Sequence, residues 1–418
     1  LPESVRWVRL ENQGFEGTLE VTKFPRNIVG CDLLNNCFEG TLKLEDLPVS
    51  IEQFEAGENR LEGSIDLTKL QKGMATLGLS RNQLFGTVRL CKDLHQLETL
   101  FFRENKLYGT LDWANLPSGL MNLDVAENNF SGTMDLTVLP PKLECIDVSQ
   151  NAFAGMVDLE KLPSGLIEIQ LNNNKLEGSL NLTKLPQTLI EIYAGGNAFS
   201  SSLDITSLPA VFQFFSGMKN RFSGSLDLTS LPLTLEKLYV DENSLTGSLQ
   251  LDRLPGILTM LDVNTNHLVG SLNLMHLEIS LVQAIFAANK FSGTVDLTEL
   301  PLSLQYLNIG KNQLSGTLNL SKLPSNFLGL YAHKCAFSGD VDLSSLSGSI
   351  TEIWINDNGL KGKLIIGPFP QSVQRIKVKN NQFSEVSYFR AYASRSKEQW
   401  KRSYDLLEGL NEVPLDIL

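Results

Sequence analysis

The sequence is short of the residues from which most active sites are built. Its 418 residues include only four histidines, His95, His267, His276 and His333, and five cysteines, Cys31, Cys37, Cys91, Cys145 and Cys335. Neither set shows metal-site spacing, alone or combined with the other. There is no phosphate-binding glycine loop, no His-Glu-x-x-His and no serine nucleophile elbow. The expectation is a non-enzymatic protein with no cofactor and no metal.

Other absences narrow the class further. No apolar run approaches the roughly 18 residues that cross a bilayer, so membrane insertion is not expected. The chain carries a formal net charge of −12 and no broad basic stripe, which argues against nucleic-acid binding. The cysteines form no paired cluster at either end, which leans toward a reducing compartment. No initiator Met and no basic, apolar leader stand at the start, so a processed segment is expected to precede the chain or to have been omitted. That leaves localisation open between the cell exterior and an intracellular complex.

What the sequence has in abundance is itself. Laid out at a period of 23 from Leu1, it holds one register through 17 consecutive units, to about residue 388. Asn occupies position 13 in 15 of 17 units, failing at Gln13 and Cys335, and Gly occupies position 17 in 15 of 17, failing at Ser201 and Glu385. Apolar residues at positions 1, 5, 8, 10, 15, 19 and 21 are expected to point inward. A single coil cannot offset the entropy of ordering its own 23 residues, so neighbouring coils must share their apolar faces. The alternation at positions 8 and 10 has strand period, and one such strand per coil stacks into a parallel sheet.

The polar positions have local physical roles. Asn at 13 follows the strand where the chain turns inward, and its amide can satisfy stranded backbone donors and acceptors. Gly at 17 suits a backbone conformation that a Cβ would hinder. Pro at position 2 in 13 of 17 units argues against helix there, and Thr-Leu-Asp-Leu at 18 to 21 alternates like a second strand. Position 20 is Asp or Asn in most coils, read as a turn-capping ladder in preference to a metal ladder.

The segment Leu304-Gln-Tyr-Leu-Asn-Ile-Gly-Lys-Asn-Gln-Leu, repeated with variation along the chain, resembles the leucine-rich repeat. The following Ser-Gly-Thr-Leu resembles the plant-type subclass, and Leu-Asp-Leu-Thr before Leu-Pro is similar to repeats of protist proteins such as those of kinetoplastids. The resemblance implies a right-handed superhelical solenoid, mainly β, with a long parallel sheet, short second strands and little helix. It also implies that the main-sheet face holds other proteins. Residues 1–388 form that solenoid in this reading. Residues 389–418 form a capping helix and tail, with Ser396 to Gln399 as a capping box and Trp400, Tyr404 and Leu407 as the covering face up to Gly409.

Specificity then falls to outward positions of the main sheet. Position 9 reads acidic early and aromatic late, and the partner-binding candidates on it are Phe101, Asp124, Asp147, Tyr193, Tyr239, Tyr331 and Trp354. An aromatic strip suits an interface, although strand propensity alone also favours such residues. Asp124 and Asp147, like Asp32 and Glu55, should lie one strand spacing apart, about 4.8 Å. A solvated acidic face is preferred there over acid–base or Ca²⁺ chemistry. Sequons at Asn129, Asn181 and Asn319 permit glycosylation without requiring it.

Charge is uneven, with −11 over residues 1–209 and −1 over 210–418. The first coil, entered directly at Leu1, is expected to expose an apolar edge. The preferred function is therefore a protein-interaction scaffold, a structural subunit of a larger or head-to-tail assembly with copies of itself or another protein. Its ends would be marked by Arg6, Trp7 and Arg9 and by Arg375, Lys377 and Lys379. The alternative is a monomeric extracellular recognition module, an adhesin or receptor ectodomain.

Overall fold

The computed structural model describes residues 2–275, 277–388, 397–409 and 415–416, without the side chains of 397–400 and 415–416. Leu1, His276 and Ser396 lie outside the described residues, as does the Trp400 side chain. The chain is a parallel β-solenoid of about 17 turns with almost no helix. It divides into two compact units, Leu1–Ser201 with Phe215–Asn220, and Ser202–Phe214 with Arg221–Leu418.

In the first unit each coil gives the main sheet a three-residue strand, beginning with Trp7–Arg9, Gly30–Asp32 and Gln53–Glu55. Pairing is parallel and advances by one repeat, so that Val8 faces Cys31 and Asp124 faces Asp147. The middle residue is buried and its neighbours face outward, as in Glu168–Gln170 and Glu191–Tyr193. A second row of parallel strands runs through Glu16–Thr18, Cys37–Thr41 and Arg60–Gly63. It advances by 21 residues, Gly17 facing Phe38. Between the rows lie single 3-10 turns such as Leu67–Lys69 and Leu136–Val138.

The second unit repeats the scheme. Its main strands include Lys237–Tyr239, Tyr306–Asn308, Gly329–Tyr331, Glu352–Trp354 and Arg375–Lys377. Its second row lengthens toward Ala336–Leu343 and Gly359–Ile366. The inward positions are filled as expected: Leu258, Leu261, Val263, Leu268, Leu272 and Leu274 of one coil are each at most 2% exposed.

The Asn column closes the coils in both units. Asn59 Oδ1 accepts from the Phe38 amide at 3.0 Å, and Nδ2 donates to the carbonyls of Leu33, Ala56 and Gly57. Asn289 does the same with Leu268, Val263, Phe286 and Ala287. One amide thus serves two coils, which is why a side chain with both donor and acceptor recurs. Where Cys335 replaces it, the thiol lies 3.5 Å from the Ile309 carbonyl, a weaker partner. Position 17 takes a left-handed backbone, with Gly109 at φ +88° and Gly316 at +88°, and Ser201 is held there at +72°.

At the C-terminus an α-helix spans Lys397–Asp405. Ser403 is buried and accepts from the Phe369 amide at 3.0 Å, while Arg402 donates to the carbonyls of Phe369, Pro370, Gln371 and Val373. The helical spacing predicts that Leu407 continues this helix, and the structure corrects that. The helix ends at Asp405, and Leu407–Glu408 is a strand paired in parallel with Arg375–Lys377. The open edge of that strand offers backbone groups, and pairing satisfies Ile376 and Val378 amides with the carbonyls of Leu406 and Glu408. That demand outweighs the helical period of the side chains.

Candidate interaction surface

The main sheet sets side chains of positions 7 and 9 outward on either side of a buried residue, and the chain then carries positions 11 and 12 past the strand end. In the first unit, Phe101, Asp124 and Asp147 are neighbours in register. Arg103, two residues beyond Phe101, reaches across them. Its Nη1 lies 3.0 Å from Asp147 Oδ2 and 3.9 Å from Asp124 Oδ2, and its Nη2 donates to Glu127. With Asn122, Cys145, Glu168 and Gln170 these residues line a recess of about 260 Å³.

The recess differs from the solvated acidic face the sequence suggests. Asp147 keeps 12% of its side chain exposed and Asp124 23%. Loss of solvent raises the Asp124 carboxyl to about 6, with the charge of Asp147 adding and the Ala126 amide and Arg103 opposing. Arg103 holds the rise in check, its guanidinium set against both carboxylates. The second carboxylate pair behaves similarly. Glu55 folds over the bare backbone of Gly78, where a Cβ would meet its carboxylate. Burial and then the neighbouring Asp32 push Glu55 up to about 7. Tyr193, also in this unit, donates its hydroxyl to Glu191 Oε2 at 2.7 Å.

In the second unit, Tyr331 and Trp354 come together edge to face, their ring centres 5.0 Å apart. The His333 ring lies 5.8 Å from Trp354, and the Lys377 ammonium stands 3.4 Å from the Trp354 ring centre. Tyr331 donates to Glu352 Oε2 at 3.0 Å, and burial with that bond raises its phenol to about 12. Small neighbours make room: a Cβ on Gly310 would come 2.7 Å from the His333 ring, and one on Gly329 2.9 Å from Tyr306. Tyr239 packs against Phe214 at 5.6 Å instead of joining Tyr331 and Trp354.

Three side-chain atoms in this cluster, Trp354 Nε1, His333 Nδ1 and Asn356 Oδ1, are buried with no hydrogen-bond partner. An unpaired buried polar atom costs about 1–3 kcal/mol. Burial, then the charges of Lys311 and Lys334, depress the His333 pKa below the usual histidine range. Sequence reasoning on position 9 found Tyr331 and Trp354 but not His333 and Asn356. Both sit at position 11, beyond the strand end and off the position-9 stripe.

The remaining candidates are dispersed. Trp7 lies over Gly30 with half its surface exposed, and Arg6 and Arg9 flank it on the first coil. Arg375 pairs with Glu408 at 2.9 Å, while Lys377 belongs to the Trp354 cluster and Lys379 stands two residues beyond it. Asn181 and Asn319 use their side-chain oxygens to hold the amides and hydroxyls of Thr183 and Ser321, as the Asp members of that column hold theirs. Asn129 is exposed on the second row of strands. Among the described residues no group of three or more His, Cys, Asp and Glu could hold a metal ion, and no helix is long and apolar enough to cross a membrane.

No family model matches the sequence, and no curated protein matches it. Solved structures do resemble it. The plant peptide hormone receptor RGFR1 in complex with RGF2 is similar at a TM-score of 0.80 and 22% identity, over 99% of this chain and 68% of that one. The Arabidopsis receptor kinase HAESA, in complex with the peptide hormone IDA and the co-receptor SERK1, is similar at 0.67 and 23%, over 99% and 79%. YopM from Yersinia enterocolitica WA-314 is similar at 0.65 and 23%, over 99% and 91%. These likenesses define the class by fold. The chain has the fold of a leucine-rich-repeat solenoid.

Proposed function

We propose that this chain is a non-enzymatic interaction module, of the adhesin or receptor kind, that holds a peptide or protein partner on the outward face of its main sheet. The observation that carries the reading is the Trp354 cluster: aromatic rings, a cation and three unsatisfied polar atoms gathered on that face. Buried aromatic anchors beside polar groups are the usual core of an interface. Two solved structures of similar fold are complexes with peptide hormones, which supports the same use here.

The test is selection of peptides from an unbiased display library on the full chain, followed by calorimetric titration. Binding in the micromolar range that falls at least tenfold in Trp354→Ala supports the reading. Peptides that bind Trp354→Ala, Tyr331→Ala and Tyr193→Ala as well as the parent would overturn it.

Assembly from copies of this chain is the second reading, favoured by the half-exposed Trp7 and the exposed Phe15 on the first coil. It is weaker because Arg375, one of the cations assigned to the opposite contact, is already paired with Glu408 within the chain.

A further inference from the structure

We propose that the Trp354 cluster is a subsite for an acidic peptide segment, with Lys377 taking a carboxylate and Trp354 and Asn356 taking the backbone beside it. This rests on the interaction reading above and names the chemistry of the partner.

The charges on this part of the face are out of balance. Lys311 and Lys334 stand at position 12 of two adjacent coils and Lys377 and Lys379 at positions 9 and 11 of the next coil but one, and among the described residues none of them lies within ion-pair distance of a carboxylate. The three carboxylates nearby are already engaged: Glu352 accepts from Tyr331, Asp357 accepts from Asn380 and Asn356, and Glu408, in register beside Lys377, pairs with Arg375 at 2.9 Å. Elsewhere in the chain comparable cations find partners, as Arg81 does with Glu58 and Glu104.

Lys377 spends its charge on a ring face. An ammonium so placed keeps N–H donors for an anion, and the aromatic contact costs it little of that capacity. Its flexible four-carbon stem lets the ammonium leave the ring face to meet an anion.

The unsatisfied atoms decide between kinds of anion. Trp354 Nε1 can only donate, and Asn356 Oδ1 can only accept. The phosphodiester backbone of DNA supplies acceptors alone and leaves the Asn356 oxygen unsatisfied. A peptide supplies a carbonyl for the indole and an amide N–H for Asn356, and an acidic side chain supplies the anion for Lys377.

The experiment is fluorescence anisotropy of the full chain with three labelled probes: a decapeptide alternating Glu and Tyr, its Gln and Tyr counterpart, and a ten-nucleotide oligothymidylate. The Glu and Tyr peptide should bind at least tenfold tighter than the Gln version. Lys377→Gln and Trp354→Phe should each weaken it at least fivefold, the latter because it keeps a ring and loses the N–H. Circular dichroism confirms that both variants fold. Equal binding of the Gln peptide, indifference to both substitutions, or oligothymidylate binding as tight and as Lys377-dependent would each overturn the proposal. If library-selected peptides still lose affinity in Trp354→Ala while the acidic probe shows no preference, only this inference fails. If no peptide of any charge depends on the face, the interaction reading fails with it.

Discussion

The ammonium of Lys377 rests 3.4 Å from the centre of the Trp354 ring, on a strand that the C-terminal Leu407–Glu408 pairs from its other side. A cation over an exposed or half-exposed ring is worth about 0.5–1 kcal/mol. Lys377→Ala should therefore lower stability by no more than about 1 kcal/mol in urea unfolding. Its effect belongs to binding, and a loss several times larger would mean that Lys377 is a structural residue.

The Asn column makes a sharper stability claim. Asn128 donates to Phe102, Val125 and Ala126 carbonyls and accepts from the Leu107 amide. Asn128→Ala strands these groups in the interior, and about 2–4 kcal/mol should be lost, against less than about 0.5 kcal/mol for exposed Asn129→Ala. Denaturant midpoints of the two variants would show the contrast, and equal midpoints would refute it.

Two of the four breaks in the Asn and Gly columns, Cys335 and Ser201, predict gains. Cys335→Asn restores a donor to the Ile309 carbonyl and should add about 0.5–2 kcal/mol. Ser201→Gly relieves a side chain held at φ +72° and should add about 1 kcal/mol. Thermal melting of each variant checks both values. A fall in either midpoint would mean that the local environment has adapted to the departure.

Glu55 predicts a pH dependence. Its folded pKa of about 7 lies above the ordinary 4.5, so the folded state holds a proton that the unfolded state releases. The stabilisation is full below about 4.5 and is lost as pH rises through about 7. Glu55 retains contact with solvent, so screening reduces the effect to about 1–2 kcal/mol. Glu55→Gln should therefore raise the melting temperature at pH 8 more than at pH 4.5. A variant whose gain is the same at both values contradicts the assignment.

Much of the fold is legible in the sequence because its determinants are local and repeated. Asn at position 13, Gly at 17 and Asp or Asn at 20 each answer one backbone requirement per coil, and the structure uses each as expected. Position 12 is different. It adopts a left-handed backbone in nearly every coil, from Asn12 and Glu58 to Lys311 and Asp357, yet no residue type marks it. The turn ahead of the Asn column imposes the conformation, and the exposed side chain is free to vary. Arg103 escapes a reading by columns because it bridges three coils diagonally. Leu407 escapes a reading by period because an open strand edge reclaims it.

The site is less legible for a related reason. Column reading brings Tyr331 to Trp354 and Asp124 to Asp147, since one repeat places them side by side. It cannot show that Gly310 and Gly329 clear space for rings, or that Trp354, His333 and Asn356 each leave a polar atom unsatisfied. Those properties come from packing between different columns.

The central claim is that a partner lies on the main-sheet face at Trp354, and the indole itself can report it. With Trp7, Trp113 and Trp400 replaced by Phe, Trp354 remains as the sole tryptophan of the chain. Titration with a library-selected peptide should change its emission in step with binding, as the ring loses Lys377 and gains a hydrogen-bond partner. Saturable binding with unchanged Trp354 emission would place the partner elsewhere and contradict the account.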